Sequence, residues 1–305
     1  MPTAKIDGIN MAYDVSGHGE PLVMIMGLGG TRQSWVFQKR AFSKHFKVIT
    51  FDSRGMGKSD KPSEPFTMKT LADDTIGLMN HLNIDKAHVL EVSHGGRVAQ
   101  EVAINYPERV NKLVLASTNT GAEGIDDLPP EVLGAFGRKE RTGQSDIIYA
   151  GMKQCSICQE DHQGKELWEH MWAAHRPQML GWAKQSIDFD KIISLGFNKR
   201  LYRMLILPLA RLQLKLGGID SHIRLIEATV GNSTLDRLHL IKAPTLVILG
   251  TEDKFCPPRS IEAMATRIPH ARLVKIDGGS HNILVEMKGR FNKEVLDFLR
   301  FRCGG

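Results

Sequence analysis

Short apolar runs, each stopped by a glycine turn and followed by a helix-like stretch, recur through the first third of the chain. Residues 22–26 end at Gly27-Leu-Gly-Gly30, and residues 46–51 end at Asp52-Ser-Arg-Gly55. Runs this short and this apolar suit strands buried on both faces, as in a parallel sheet. Further along, Met68, Leu71, Ile76, Leu78, Met79 and Leu82 share a helical face over residues 67–82, which leaves Asp73 and Asp74 expected on the outside. Residues 87–92 are strand-like again, residues 95–106 helical, and residues 110–116 close the series. Strands alternating with helices mean βαβ units and a mainly parallel sheet, the α/β class.

After Ser117 the texture changes. Residues 118–238 are helix-prone and rich in Met, His and Trp, without strong strand signals. The strand grammar resumes at 243–250 and 271–276, and an amphipathic helix follows at about 291–301. An insertion of that length is too large for a plain loop. The expected architecture is therefore a core of residues 1–117 and 239–305, a mostly parallel sheet flanked by helices. Residues 118–238 would be a helical cap resting on the sheet's carboxyl edge, where open α/β sheets bind ligands.

Composition narrows the partners. With 42% hydrophobic and 24% charged residues over 305 positions, disordered and collagenous chains are excluded. The net charge of +6 is concentrated in residues 184–215, without the aromatic interleaving of a nucleic-acid platform, so no nucleic-acid partner is expected. Four cysteines, Cys155, Cys158, Cys256 and Cys303, do not make a disulfide framework and fit a reducing compartment. The first ten residues lack the apolar stretch of a secretory signal, and no apolar run of about 18 residues follows. A soluble cytoplasmic protein, monomer or homodimer, is the expectation.

The chemistry centres on Val92-Ser93-His94-Gly95-Gly96, between a strand and a helix. A turn this tight strains its middle residue and thrusts the hydroxyl outward, with a helix N-terminus behind it to favour developing negative charge. A serine opening a helix is by itself an ordinary N-cap. Here Asp253, in Gly250-Thr-Glu-Asp, and His281, in Gly278-Gly-Ser-His, follow two later strands and so fall on the same sheet edge. Serine becomes a useful nucleophile when an imidazole takes its proton and a carboxylate holds that imidazole in one tautomer. The neighbouring Glu252 is an alternative acid. His94 contributes a backbone N–H more naturally than its side chain.

At these residues the chain resembles the α/β-hydrolase superfamily, over everything outside the cap. The resemblance rests on the order Ser93, Asp253, His281, on Gly27-Leu-Gly-Gly30 after the third strand, and on Asp52-Ser-Arg-Gly-Met-Gly-Lys-Ser59. It implies a capped serine hydrolase with Asp253 as the acid and an oxyanion site made by the backbone N–H groups of Leu28 and His94. No cofactor and no metal are implied. The substrate expected is a small hydrophobic acyl compound, a carboxylic ester or a relative of one, the hydrophobicity being inferred from the cap's composition. Carbon–carbon cleavage of ring-fission products and enol-lactone opening are alternatives on the same framework. A ligand receptor that keeps the triad is a third.

One residue departs from the family's Gly-x-Ser-x-Gly elbow: Glu91 stands two positions before Ser93. A long carboxylate there either slides to a polar neighbour such as Arg97, tunes His281 or meets substrate with a raised pKa, or displaces Ser93. Two weaker patterns compete elsewhere. Cys155 and Cys158 with His170 and His175 imitate zinc-ligand spacing, although Trp168, Met171 and Trp172 among them read as the apolar face of a cap helix. The cationic, aliphatic stretch 197–216 imitates an interfacial helix, but Pro208 interrupts it, and a pair of cap helices with no stable membrane contact is preferred.

Overall fold

The computed structural model describes residues 2–121, 194–200, 204, 208, 218–229 and 232–301. The zinc-like cluster around Cys155, most of the 197–216 stretch and most of the expected cap lie outside these residues. The fold is α/β, built on one eight-stranded sheet in the order β1-β2-β4-β3-β5-β6-β7-β8. The strands are β1 (Thr3–Ile6), β2 (Ile9–Ser16), β3 (Pro21–Ile25), β4 (Lys47–Phe51), β5 (Ala87–Val92), β6 (Val110–Ala116), β7 (Thr245–Gly250) and β8 (Arg272–Ile276). β3 to β8 run parallel, and β1 and β2 add an antiparallel edge.

That edge is a hairpin turned by Asp7 and Gly8, whose φ angles are 43° and 78°. Positive φ at both central residues matches the right-handed twist of the strands it joins. The central strands are apolar throughout because both faces are covered: every residue of β5 and of β7 is buried. Val89 and Leu90, adjacent in β5, enter opposite cores, as the two-residue strand period requires.

On one face pack α2 (Met68–His81), α3 (His94–Asn105) and α5 (Pro258–Arg267). On the other pack α1 (Val36–Phe42), α6 (Ile283–Glu286) and α7 (Lys288–Arg300), around Trp35, Phe42 and Phe291. The remaining helix, α4 (Ile219–Glu227), lies in the segment before β7. Among the described residues no helix is long and apolar enough to cross a membrane.

One helical expectation is corrected. Asp73 does lie at the surface, but Asp74 is buried, 1% exposed, and holds Arg54 through two bonds of 2.6 Å. Burial pushes the Asp74 carboxyl up despite that pairing, and the carboxylate in turn raises Arg54. The segment 52–59 acts as a clasp. Asp52 accepts the backbone N–H of Arg32 at 2.7 Å and of Lys58 at 2.9 Å, and pairs with the Arg32 guanidinium. Ser59 accepts from Ala12 at 2.9 Å and donates to the Asp52 carbonyl. These bonds tie the loop after β4 to β2 and to the residues that follow Gly27-Leu-Gly-Gly30.

Candidate active site

Parallel register brings three strand ends to one edge: Val92 pairs with Ala116, Ala116 with Ile248, and Gly250 with Ile276. Ser93 is the next residue after β5, and Asp253 and His281 lie in the loops after β7 and β8. Ser93 stands at φ 58°, ψ −124°. That strained backbone at a non-glycine residue is held because its neighbours leave no slack. Its N–H bonds the Ala116 carbonyl at 3.0 Å, and its own carbonyl accepts from Thr118 Oγ1 at 2.7 Å.

Small residues are demanded around the turn. A Cβ on Gly95 would stand 2.6 Å from the Ile25 carbonyl oxygen, and one on Gly27 would meet the Ser93 Cβ at 3.0 Å. The second contact also sets the Gly27-Leu-Gly-Gly30 loop against the serine.

His281 Nε2 lies 2.8 Å from Ser93 Oγ, and His281 Nδ1 lies 3.0 and 2.9 Å from the two oxygens of Asp253. A carboxylate facing Nδ1 requires a proton there, which leaves Nε2 free to accept the serine O–H. The Asp253 side chain is fully buried and that of His281 is 15% exposed. Asp253 Oδ1 also takes the backbone N–H groups of Phe255 and Cys256, both at 2.9 Å, so the carboxylate is fixed before it meets the imidazole. Glu252 is not at this position: it faces outward and accepts from Asn198.

Neither the Leu28 nor the His94 amide has an acceptor among the described residues. The His94 side chain turns away from Ser93, and its Nε2 lies 3.1 Å from the Leu225 carbonyl. Burial pushes its pKa down to about 4, so it is a neutral donor to that carbonyl.

Glu91 is fully buried, on the α3 side of β5. Its Oε1 accepts the Ala116 N–H at 2.9 Å, while Oε2 has no hydrogen-bond partner among the described residues. The expected contact with Arg97 is not made. The carboxylate lies instead against Gly96, where a Cβ would stand 2.4 Å from Oε2 and 2.3 Å from Thr118 Oγ1. Burial raises the Glu91 pKa well above the usual carboxylate range, which favours its protonated form. The elbow keeps its shape beside it because Gly96 yields the space that Gly gives up at position 91.

An α/β hydrolase fold family model matches residues 20–147, and a serine aminopeptidase S33 model matches residues 219–288. The putative carbamate hydrolase RutD of Caulobacter segnis is 35% identical over 98% of this chain and 99% of its own length. The chain belongs to the α/β-hydrolase family. A poly(3-hydroxyalkanoate) depolymerase of Ectopseudomonas oleovorans is 26% identical over 93% of this chain and 85% of its own. The enol-lactonase of Burkholderia xenovorans LB400 superposes on this α/β hydrolase with a TM-score of 0.73, at 24% identity over 98% of this chain and 100% of that one.

Two neighbours of the site escape a reading of the hydrolase motifs alone. The Phe255 ring packs on the His281 imidazole with centroids 5.1 Å apart. Cys256 places its thiol within 4.8 Å of donor atoms of both Asp253 and His281. Their adjacency to Asp253 in sequence is the only early signal, since the loop could have turned either way.

Proposed function

We propose that this α/β hydrolase cleaves a carboxylic ester or related acyl compound through an acyl-enzyme on Ser93. The observation that carries the reading is the unbroken path from Asp253 through His281 to Ser93 Oγ, with bonds of 2.9 and 2.8 Å. His281 Nε2 takes the serine proton as Oγ attacks the carbonyl carbon. Asp253 holds the ring in that tautomer and stabilises the imidazolium. The amides of Leu28 and His94, with no protein acceptor of their own among the described residues, receive the oxyanion. His281 then gives its proton to the leaving group, and water, activated by the same nitrogen, releases the acyl group. No cofactor enters this sequence.

Acyl class is the open variable that experiment resolves. Burst kinetics on p-nitrophenyl esters of graded chain length, beside an aryl carbamate, an enol-lactone and a ring-fission diketone, rank the classes by kcat/KM. The reading expects a stoichiometric burst with an ester, absent in Ser93→Ala. Slow turnover of every class with tight binding of one of them would instead favour a ligand receptor.

A further inference from the structure

We propose that Asp253, Cys256 and His281 form a binding site for a thiophilic divalent cation, zinc or cadmium, whose occupation switches the hydrolase off. The three residues offer a carboxylate oxygen, a thiol sulfur and an imidazole nitrogen whose ligand atoms all lie within 4.8 Å of one another. Such a mixed O, S, N set is the one zinc takes up. Bonds of about 2.0–2.3 Å in a tetrahedral centre set donors roughly 3.5 Å apart, so the widest pair need close by only about 1 Å while the Asp253–His281 pair, now at 2.9 Å, opens slightly.

The scaffold favours that small closure. Asp253 is pinned by the amides of Phe255 and Cys256, and the Cys256 side chain moves with the same loop. An open cavity of about 540 Å³, bounded by Thr251, Glu252, Asp253 and Pro257, lies beside the buried carboxylate. Cys256 has no part in the hydrolytic sequence and is buried.

The chemical consequence follows from the tautomer. A cation shared with Asp253 takes His281 Nδ1, the nitrogen 2.9 Å from that carboxylate. The ring proton moves from Nδ1 to Nε2, so Nε2 becomes a donor and can no longer accept the Ser93 proton. Cys256 binds as thiolate and releases its proton to solvent. The divalent cation, the Asp253 carboxylate and the thiolate then sum to zero charge, and a fourth position stays open for water.

This proposal rests on the serine-hydrolase reading only for its effect on rate, so binding is measured separately from turnover. Cadmium chloride is titrated into the protein, with thiolate-to-metal charge-transfer absorption read in the ultraviolet, and turnover is followed in parallel with zinc chloride. Cys155, Cys158 and Cys303 contribute a background, so the readout is the difference between wild type and Cys256→Ala. Expected are one equivalent of charge transfer lost in Cys256→Ala and a concentration for half inhibition raised at least about tenfold in that variant. Full recovery of wild-type turnover on adding EDTA is also expected. Ser93→Ala, which has no turnover to lose, must keep the Cys256-dependent band. Cys256→Ser, closer in size, repeats the comparison if Cys256→Ala proves unfolded by thermal melt. Identical cadmium spectra in wild type and both variants, or inhibition that ignores Cys256, would overturn the proposal.

Discussion

Glu91 on β5 reaches Ala116 on β6 with its side chain: Oε1 accepts the Ala116 N–H at 2.9 Å. The same short region carries the Ser93 N–H to the Ala116 carbonyl and the Thr118 hydroxyl to the Ser93 carbonyl. Glu91 therefore braces the strand end that holds the elbow. Glu91→Gln keeps an acceptor for the Ala116 N–H and nearly the same shape, and should alter stability by less than about 1 kcal/mol. Glu91→Ala removes that side-chain bond and opens a cavity at a fully buried position, and should cost about 2–4 kcal/mol. Urea denaturation of the two variants checks both figures.

The raised Glu91 pKa has a stability consequence of definite sign. Above pH 4.5, the ordinary value, the unfolded chain has lost a proton that the folded chain keeps, so stability falls as pH rises until the folded carboxyl also ionises. The slope is at most about 1.4 kcal/mol per pH unit. His94 works the other way. Its folded pKa of about 4 lies below the ordinary 6.5, so its contribution is lost as pH falls through that window. Above pH 4.5 the two slopes therefore oppose each other. From pH 5 upward the urea midpoint of wild type should fall relative to that of Glu91→Gln at the same pH.

Asp253 and Glu252 are adjacent in sequence but only Asp253 meets His281. Asp253→Asn should lower kcat by about 10³–10⁴, by presenting the wrong hydrogen-bonding partner to Nδ1. Glu252→Gln should leave kcat within about twofold. Steady-state kinetics on the best ester from the panel separates them.

Arg54 and Asp74 form a buried bidentate pair whose side chains are 8% and 2% exposed. Removing one partner strands the other's charge. Asp74→Ala should therefore destabilise by about 3–5 kcal/mol, read from the shift in urea midpoint, with the Ser93 chemistry unaffected in the protein that remains folded.

That pair also marks where the sequence is opaque. A helical wheel puts Asp74 outside because nothing within α2 calls for it. The reason it is inside, Arg54, comes from the loop after β4. The parallel strands were legible because burial on both faces leaves them as uninterrupted apolar runs with glycine at the end, and the positions of Ser93, Asp253 and His281 follow from those ends. The β1–β2 hairpin carried its Asp7-Gly8 turn signal, yet its strands mix polar and apolar residues at a sheet edge and stand out less. Glu91 was legible as an anomaly but not in its solution. Choosing the Ala116 N–H over Arg97 depends on which strand pairs with β5. The Cys256 thiol beside His281 depends on how two loops converge, which no local pattern encodes.

The central claim, that Ser93 is a nucleophile driven by His281, is tested most directly by mass spectrometry after treatment with a fluorophosphonate. One adduct per chain is predicted, on the peptide containing Ser93, absent in Ser93→Ala and strongly slowed in His281→Ala. Labelling of folded wild type at another residue, or equal labelling of Ser93 with and without His281, would contradict it.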